Sequence, residues 1–241
     1  MSTATPISSA QNKTDMQQLA VDVVERALRA GATEAEAVIR EGDEFSTLVR
    51  LGQVETLKES GARGIGVRVF LGSKGAHRTA NTSTSDFTEA GLDQLVRGAM
   101  DLAQVTSEDP FGGLPEPGAM GQLDRNLDLY YEDVYSMPAA ERIEYARRAE
   151  AAALSADPRL KNSDGGSFDA ATGHKVMANS RGFVGEYRRS YCSVAAMPIA
   201  QTDRRRSGSS TRILLLGYSA KSSPCRPRWL DSWCHRRGRF E

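Results

Sequence analysis

The chain has 241 residues with 31 basic and 31 acidic side chains, and it is long enough to bury the core of one large domain or two small ones. The charge is uneven: residues 204–241 hold ten basic and two acidic side chains, a net charge of +8, so residues 1–203 sum to −8. Apolar runs such as Ile213–Leu216 are far too short to span a membrane, and residues 1–18 lack the apolar stretch of a secretory signal. These features exclude a membrane-spanning or signal-bearing class and favour a cytoplasmic protein.

Helical and β periodicities alternate in the first half of the chain. Residues Asp15–Ala30 place apolar side chains on one helical face, and Gly31 follows as a stop signal. From Ala35 the period changes to two, with glycine-containing breaks that predict tight turns at 42–43, 52–53, 61–64 and 72–75. A second helix begins after Ser85 or Asp86. We expect an antiparallel β-meander packed with helices, an α+β fold.

The second half repeats this pattern after a stretch rich in glycine and proline. Residues 109–126 lack periodicity and predict a linker. A third helix is predicted over Met137–Ala156, followed by strands with turns at 172–173 and 181–182. The predicted organisation is a disordered N-terminus (1–14), an α+β domain (15–108), a linker (109–126), the start of a second α+β domain that stops short (127–202), and an aberrant basic tail that is disordered (203–241).

Residue types that carry chemistry are scattered in the sequence. The glycines of GARGIGVRV precede a β-branched strand rather than a helix, so they favour turns over a phosphate-binding loop. His77, His174 and His235 lie far apart and form no metal-binding pair at helical spacing. We therefore predict no catalytic, cofactor-binding or metal-ligating residue in this chain.

Cysteine, serine and carboxylate side chains are three further candidates for chemistry. Cys192 is the only cysteine before residue 204; it fits a buried structural thiol and agrees with a reducing compartment. Ser167, in the phrase DGGSF, fits a hairpin. The carboxylates Glu34, Glu36, Glu41, Asp43 and Glu44 are typical of a solvated strand edge, because spacing alone does not pair two of them for acid and base catalysis.

Several phrases in a consistent order over residues 15–201 resemble the N-terminal half of the TldD/PmbA family. They are GQVETLKESGARGIGVRVF, MDLAQVTSEDPFGGL, LDLYY, and the run from ARRAEAAAL to YCSVAAMPIAQ. The DGGSF, ANSRGF and YCSVAAMPIA phrases are similar to the PmbA (TldE) branch. The family is also described as modulators of DNA gyrase and as peptide-maturation proteins.

This resemblance implies a cytoplasmic zinc metallopeptidase built from TldD-like and PmbA-like subunits, which trims or degrades small unfolded peptides. The zinc-binding HExxxH element belongs to the TldD-like subunit and lies beyond the N-terminal half. The resemblance therefore implies that this chain is a non-catalytic partner of a TldD-like subunit and holds no zinc itself.

The tail departs from the family pattern, which continues with phrases like GYYYS and DPEEVG. A frame change within the codon of Arg212 can encode Gly-Tyr-Tyr-Tyr-Ser-Val, and the same frame can encode Asp-Pro-Val-Gly over 226–229. We therefore expect a truncated, frameshifted coding sequence. The alternative is a stand-alone binding module whose basic tail, with Trp229 and Trp233, contacts nucleic acid.

Overall fold

The structure is a computed structural model that describes residues 13–120 and 127–200, together with the backbone of 216–220. The helices are α1 (Lys13–Arg29), α2 (Glu89–Val105), α3 (Glu132–Ser136) and α4 (Ala139–Leu154), with a short 3-10 turn at Pro117–Ala119. The strands are β1 (Glu34–Arg50), β2 (Gln53–Ser73), β3 (Ala76–Thr84), β4 (Leu160–Asn179), β5 (Val184–Ala200) and β6 (Leu216–Ala220).

The six strands form one antiparallel sheet in the order β3-β2-β1-β4-β5-β6. Tight connections join β1 to β2, β2 to β3 and β4 to β5, whereas α2, α3 and α4 lie between β3 and β4 in the chain. This arrangement confirms the predicted α+β class with an antiparallel meander.

Two compact units divide the chain, and four strands contribute residues to both. The first unit comprises Met1–Glu41, Ala62–Asn126 and His174–Tyr187, and the second comprises Gly42–Gly61, Leu127–Gly173 and Arg188–Glu241. The sequence predicts one domain on each side of a linker. The structure differs because β1, β2, β4 and β5 are long enough to leave one unit and continue in the other.

In the first unit, helices α1 and α2 supply the helical side of the core. The apolar face predicted for the first helix is largely buried, with Val23 and Ala27 fully inaccessible to solvent. They pack in one cluster with α2 residues such as Leu92 and strand residues such as Val67. Thr88, two residues after the predicted Asp86, caps α2 by accepting a hydrogen bond from the Gly91 N–H.

In the second unit, α4 packs against the sheet through an aromatic cluster. Tyr145 of α4 stacks on Phe168 of β4, with ring centroids 5.8 Å apart, and Phe168 meets Phe45 of β1 edge-on. All three side chains are buried, together with Cys192 and Val194 of β5. The predicted third helix is thus present, and Pro138 occupies its N-cap position.

Glycines inside strands explain most of the differences from the predicted turns. The turns near Gly52, Gly75 and Gly182 are confirmed, and these three glycines have positive φ angles. The predicted breaks at 42–43, 61–64 and 172–173 are wrong, because these residues continue β1, β2 and β4. A Cβ at Gly42 would clash with the Thr172 carbonyl oxygen, so this glycine permits close approach of two backbones.

The phrase DGGSF also lies within a strand, β4, so its prediction as a hairpin is wrong. A Cβ at Gly166 would clash with the carbonyl oxygen of Ala146 and would lie 3.0 Å from the Glu150 backbone nitrogen. Gly165 has a φ of 124°, and a Cβ there would lie 2.6 Å from Leu48 Cδ1. Gly166 therefore lets α4 lie directly on the sheet, whereas Gly165 permits close approach of β4 to β1.

Residues 109–120, predicted as a linker, pack within the first unit. The Asp109 N–H donates to the His77 carbonyl oxygen at 2.7 Å, and Leu114 is 6% exposed. Residues 1–12, 121–126, 201–215 and 221–241 lie outside the described residues. Strand β6 falls in the segment predicted to be disordered; for the remainder of 203–241 the expectation stays a prediction.

The turn between β1 and β2 is held by a buried carboxylate. Leu51 and Gly52 have φ angles of 48° and 77°, the left-handed pair of a two-residue hairpin turn. Glu150 of α4, 2% exposed, accepts the Leu51 N–H at 2.8 Å on one oxygen and the Gly52 N–H at 2.9 Å on the other. Arg147 adds a hydrogen bond to the Gly52 carbonyl oxygen at 3.1 Å. The helix therefore fixes the start of β2.

Glu150→Ala should destabilise the protein by about 2–4 kcal/mol, since it leaves two N–H groups without their acceptor. Amide exchange at Leu51 and Gly52 should accelerate, because the turn loses its tether. Glu144→Ala is the matched control: Glu144 lies on the same helix and pairs with Arg147 at 2.7 Å across half-exposed side chains. Its cost should stay within about 1 kcal/mol. Equal destabilisation by both variants in denaturant titrations would contradict the assigned role of Glu150.

Candidate functional site

His77 is a packed strand residue. It lies on β3, is 6% exposed, and its Nδ1 is 2.9 Å from the Gly112 carbonyl oxygen. Its ring meets Phe70 edge-on, with ring centroids 5.9 Å apart. These contacts hold residues 109–113 against the strand and give His77 a structural role.

His174 lies on β4 between two carboxylates of the first unit. Its Nδ1 is 3.5 Å from Glu41 and its Nε2 is 3.2 Å from Glu186, and the side chain is 9% exposed. In the sequence His174 and Glu41 are far apart and were candidates only separately, and no sequence signal points to Glu186. Since each ring nitrogen faces a different carboxylate, the imidazole of His174 bridges β1, which carries Glu41, and β5, which carries Glu186.

A resident metal ion does not fit the described part of the chain. No group of three or more histidine, cysteine, aspartate or glutamate side chains there could hold one. Ser167 lies within β4, and Cys192 is buried on β5. His235 lies outside the described residues.

A partly buried ion pair closes the turn between β4 and β5 in the first unit. Arg181 donates through Nε to Glu34 Oε1 at 2.8 Å and through Nη1 to the Pro115 carbonyl oxygen at 2.8 Å. The second oxygen of Glu34 accepts the Leu114 N–H at 3.0 Å. Burial by itself would raise the pKa of Glu34, but the Leu114 N–H and the Arg181 guanidinium outweigh it and lower the pKa below its ordinary value.

The second unit contains a cavity of about 210 Å³ beside the start of α4. Its apolar wall includes Phe45, Val134 and Met137, and its charged lining comprises Asp43, Glu44, Glu59 and Arg142. Arg142 is 8% exposed; it lies 4.6 Å from the centroid of the Phe45 ring and donates to the Val134 carbonyl oxygen at 3.3 Å. The arginine is thus part of the wall, and the three carboxylates give the cavity a negative balance.

Among the described helices, none combines the length and the apolar character that crossing a membrane requires.

Two family models match the chain in succession. One described as PmbA/TldA metallopeptidase domain 1 matches residues 35–103, and one described as PmbA/TldA metallopeptidase central domain matches residues 132–221. The chain belongs to the PmbA/TldD family. The order of the two matches agrees with the resemblance carried by the sequence phrases, and the second match includes β6.

Bacterial PmbA proteins are among the relatives. The chain is 33% identical over 196 residues to the metalloprotease PmbA homologue of Haemophilus influenzae, with 81% of this chain and 42% of that protein aligned. It is 30% identical over 204 residues to the metalloprotease PmbA of Escherichia coli O157:H7, with 84% and 43% aligned. The chain therefore spans less than half the length of these curated relatives.

Crystal structures of similar fold include TldE from Thermococcus kodakarensis. It superposes with a TM-score of 0.69 at 13% identity, covering 90% of this chain and 46% of that one. A protein of Bacteroides thetaiotaomicron, described as a candidate modulator of DNA gyrase, gives a TM-score of 0.71 at 20% identity and covers 88% and 46%. These likenesses establish a shared fold for the PmbA/TldD family member described here.

The Glu34–Arg181 pair should make stability depend on pH. Because the native pKa of Glu34 is lowered, its stabilisation is present above the ordinary value of 4.5 and is lost as the pH falls through the native value. Glu34→Gln should lower the free energy of unfolding by about 2 kcal/mol at neutral pH and by less at acidic pH.

Thermal unfolding between pH 3 and 7 measures this difference. Glu25→Gln is the control, since Glu25 and Arg29 form an exposed pair at 3.5 Å. The control should follow the wild-type profile within a small offset. Parallel profiles for Glu34→Gln and the wild type would contradict the assigned ion pair.

Proposed function

We propose that this chain acts as a PmbA/TldE-type subunit in the proteolysis and maturation of small or unfolded peptides in the cytoplasm. The observation that carries the proposal is the succession of both family-model matches, in order, on one chain. The relatives named metalloprotease PmbA support the same activity class.

In this proposal the chain shapes the peptide-holding surface and docks a TldD-like subunit, which supplies the zinc ion. The described residues support a structural role, because His77 packs against Phe70 and His174 lies between two carboxylates. The fold likeness to a protein named TldE agrees with assignment to that branch. Zinc, when bound by the partner, would polarise the peptide carbonyl and activate water.

Co-expression with a TldD-like protein tests the proposal. We expect the two chains to co-purify and the complex to cleave an unfolded peptide in a chelator-sensitive manner. This chain alone should show no cleavage, with or without added zinc.

Two controls sharpen this experiment. The TldD-like protein with its HExxxH glutamate replaced by glutamine should still co-purify but lose cleavage. Robust chelator-sensitive cleavage by this chain alone, or the absence of any complex, would contradict the proposed division of labour.

We also propose that the basic tail arises from a change of reading frame and that the coding sequence is truncated. The support is the shift to +8 net charge over 204–241 and the two family phrases recovered in another frame. Resequencing from codon 195 past the stop should reveal the GYYYS and DPxxVG phrases in an open neighbouring frame. A neighbouring frame closed by stop codons would reject the idea and favour a tail that contacts nucleic acid.

A further inference from the structure

The first half of β2 is an open strand edge. Strand β3 pairs with β2 only from Ile65 to Ser73, while β1 lies on the other side of β2. Within the second unit, residues Gln53–Gly61 therefore have no strand on their outer side among the described residues. An edge strand presents alternate N–H and C=O groups outward, and these are ready to pair with another extended chain.

Exposure along this edge agrees with the absence of a covering segment among the described residues. Every residue of Gln53–Gly61 is exposed except Thr56, which is of intermediate exposure. Val54 is 43% and Leu57 48% exposed. The outer edge of β3 in the first unit is partly covered, because Asp109 pairs with His77 there. The nine residues are about 30 Å long, the length of an extended nonapeptide.

The open edge leads to the acidic cavity. Glu59 belongs to the edge and also lines the cavity, together with Glu44 of the neighbouring strand. Glu44 and Glu59 make no ion pair with any described residue, and both are exposed. The apolar wall formed by Phe45 and Met137 suits the methylene stem of a long side chain, and the carboxylates suit a cationic end group.

We infer that residues Gln53–Gly61 bind an extended peptide by adding it as a strand, with a lysine or arginine side chain of that peptide in the acidic cavity. Backbone hydrogen bonds supply sequence-tolerant affinity, and the cavity fixes the register, since a slip of one residue turns the basic side chain to the opposite face. This inference deepens the proposed function, because the bound chain is then the peptide presented for cleavage.

Binding to the full 241-residue chain is measured without any partner subunit, so the result is independent of complex formation. The probe is a fluorescein-labelled nonapeptide of Thr, Val and Gln with one central Lys, compared with a twin carrying Gln at that position. We expect the Lys peptide to bind about fourfold more tightly, a preference that weakens as salt is raised.

Variants of the protein locate the charge contact. Glu44→Gln combined with Glu59→Gln should remove the fourfold preference for Lys. Glu55→Gln is the matched control, because Glu55 lies on the same edge, is exposed, and is absent from the cavity lining. It should leave the preference unchanged. A preference that survives the double substitution, or that is lost equally in the control, overturns the cavity assignment.

Variants of the peptide locate the backbone contact. Two isomers of the peptide are made, one N-methylated at the odd-numbered residues and the other at the even-numbered residues. Each isomer loses the backbone N–H donors along one edge of the extended chain. Because the cavity fixes the register, one isomer should bind at least tenfold more weakly than the other. Hydrogen exchange of the amides within 53–61 should slow on binding of the unmethylated Lys peptide. Equal binding of the isomers, or protection confined to other segments, overturns the strand-addition mode.

A second copy of this chain is the competing occupant of the edge. Sedimentation and hydrogen exchange across a range of protein concentrations detect it. Concentration-dependent dimerisation that protects 53–61 and excludes the peptide overturns the inference, whereas a monomer that binds the peptide supports it. If peptide binding holds while no TldD-like protein co-purifies, the proposed function fails and this inference stands.

Discussion

The carboxylate of Glu150 is the contact on which the arrangement of the second unit depends. It reaches from α4 to the β1–β2 turn and satisfies two adjacent N–H groups that the left-handed turn leaves without strand partners. A buried carboxylate is costly unless its oxygens accept hydrogen bonds, and here both do. The same contact orients the first half of β2, and with it the open edge and one side of the acidic cavity.

Local sequence signals were sufficient for the three long helices, α1, α2 and α4, and for the tight hairpins, whereas the short helix α3 was not predicted. The face of α1 follows from apolar spacing, and the turns at Gly52, Gly75 and Gly182 follow from the need for positive φ angles. The glycines at 42, 61 and 173 carry the same local signal but lie inside long strands, and at Gly42 the requirement comes from the Thr172 carbonyl oxygen on the neighbouring strand. Only the neighbouring strand, absent from any local window, distinguishes a glycine required for backbone approach from one required for a turn.

The contacts within the side-chain clusters could not be predicted from the sequence for a related reason. Glu34 and Arg181 are 147 positions apart, and the partners of His174 lie on two other strands. Their pairing depends on strand order in the sheet, which the periodicity does not determine. Family membership, by contrast, could be predicted from the sequence, because it depends on many phrases in a fixed order. This prediction does not require the chemical role of any phrase to be known. The sequence was therefore sufficient to identify related proteins, but it did not predict the long-range side-chain contacts.

The glycine pair at 165 and 166 illustrates what such phrases encode. The backbone of α4 lies so close to β4 that a single methyl group at Gly166 has no room. This helix carries both Glu150 and Arg142. The distance between helix and sheet therefore determines whether Glu150 can bind the β1–β2 turn, and it also determines the depth of the cavity that Arg142 lines. The DGG phrase thus reflects a short distance between a helix and a sheet, a requirement of the scaffold. It does not mark a reactive group.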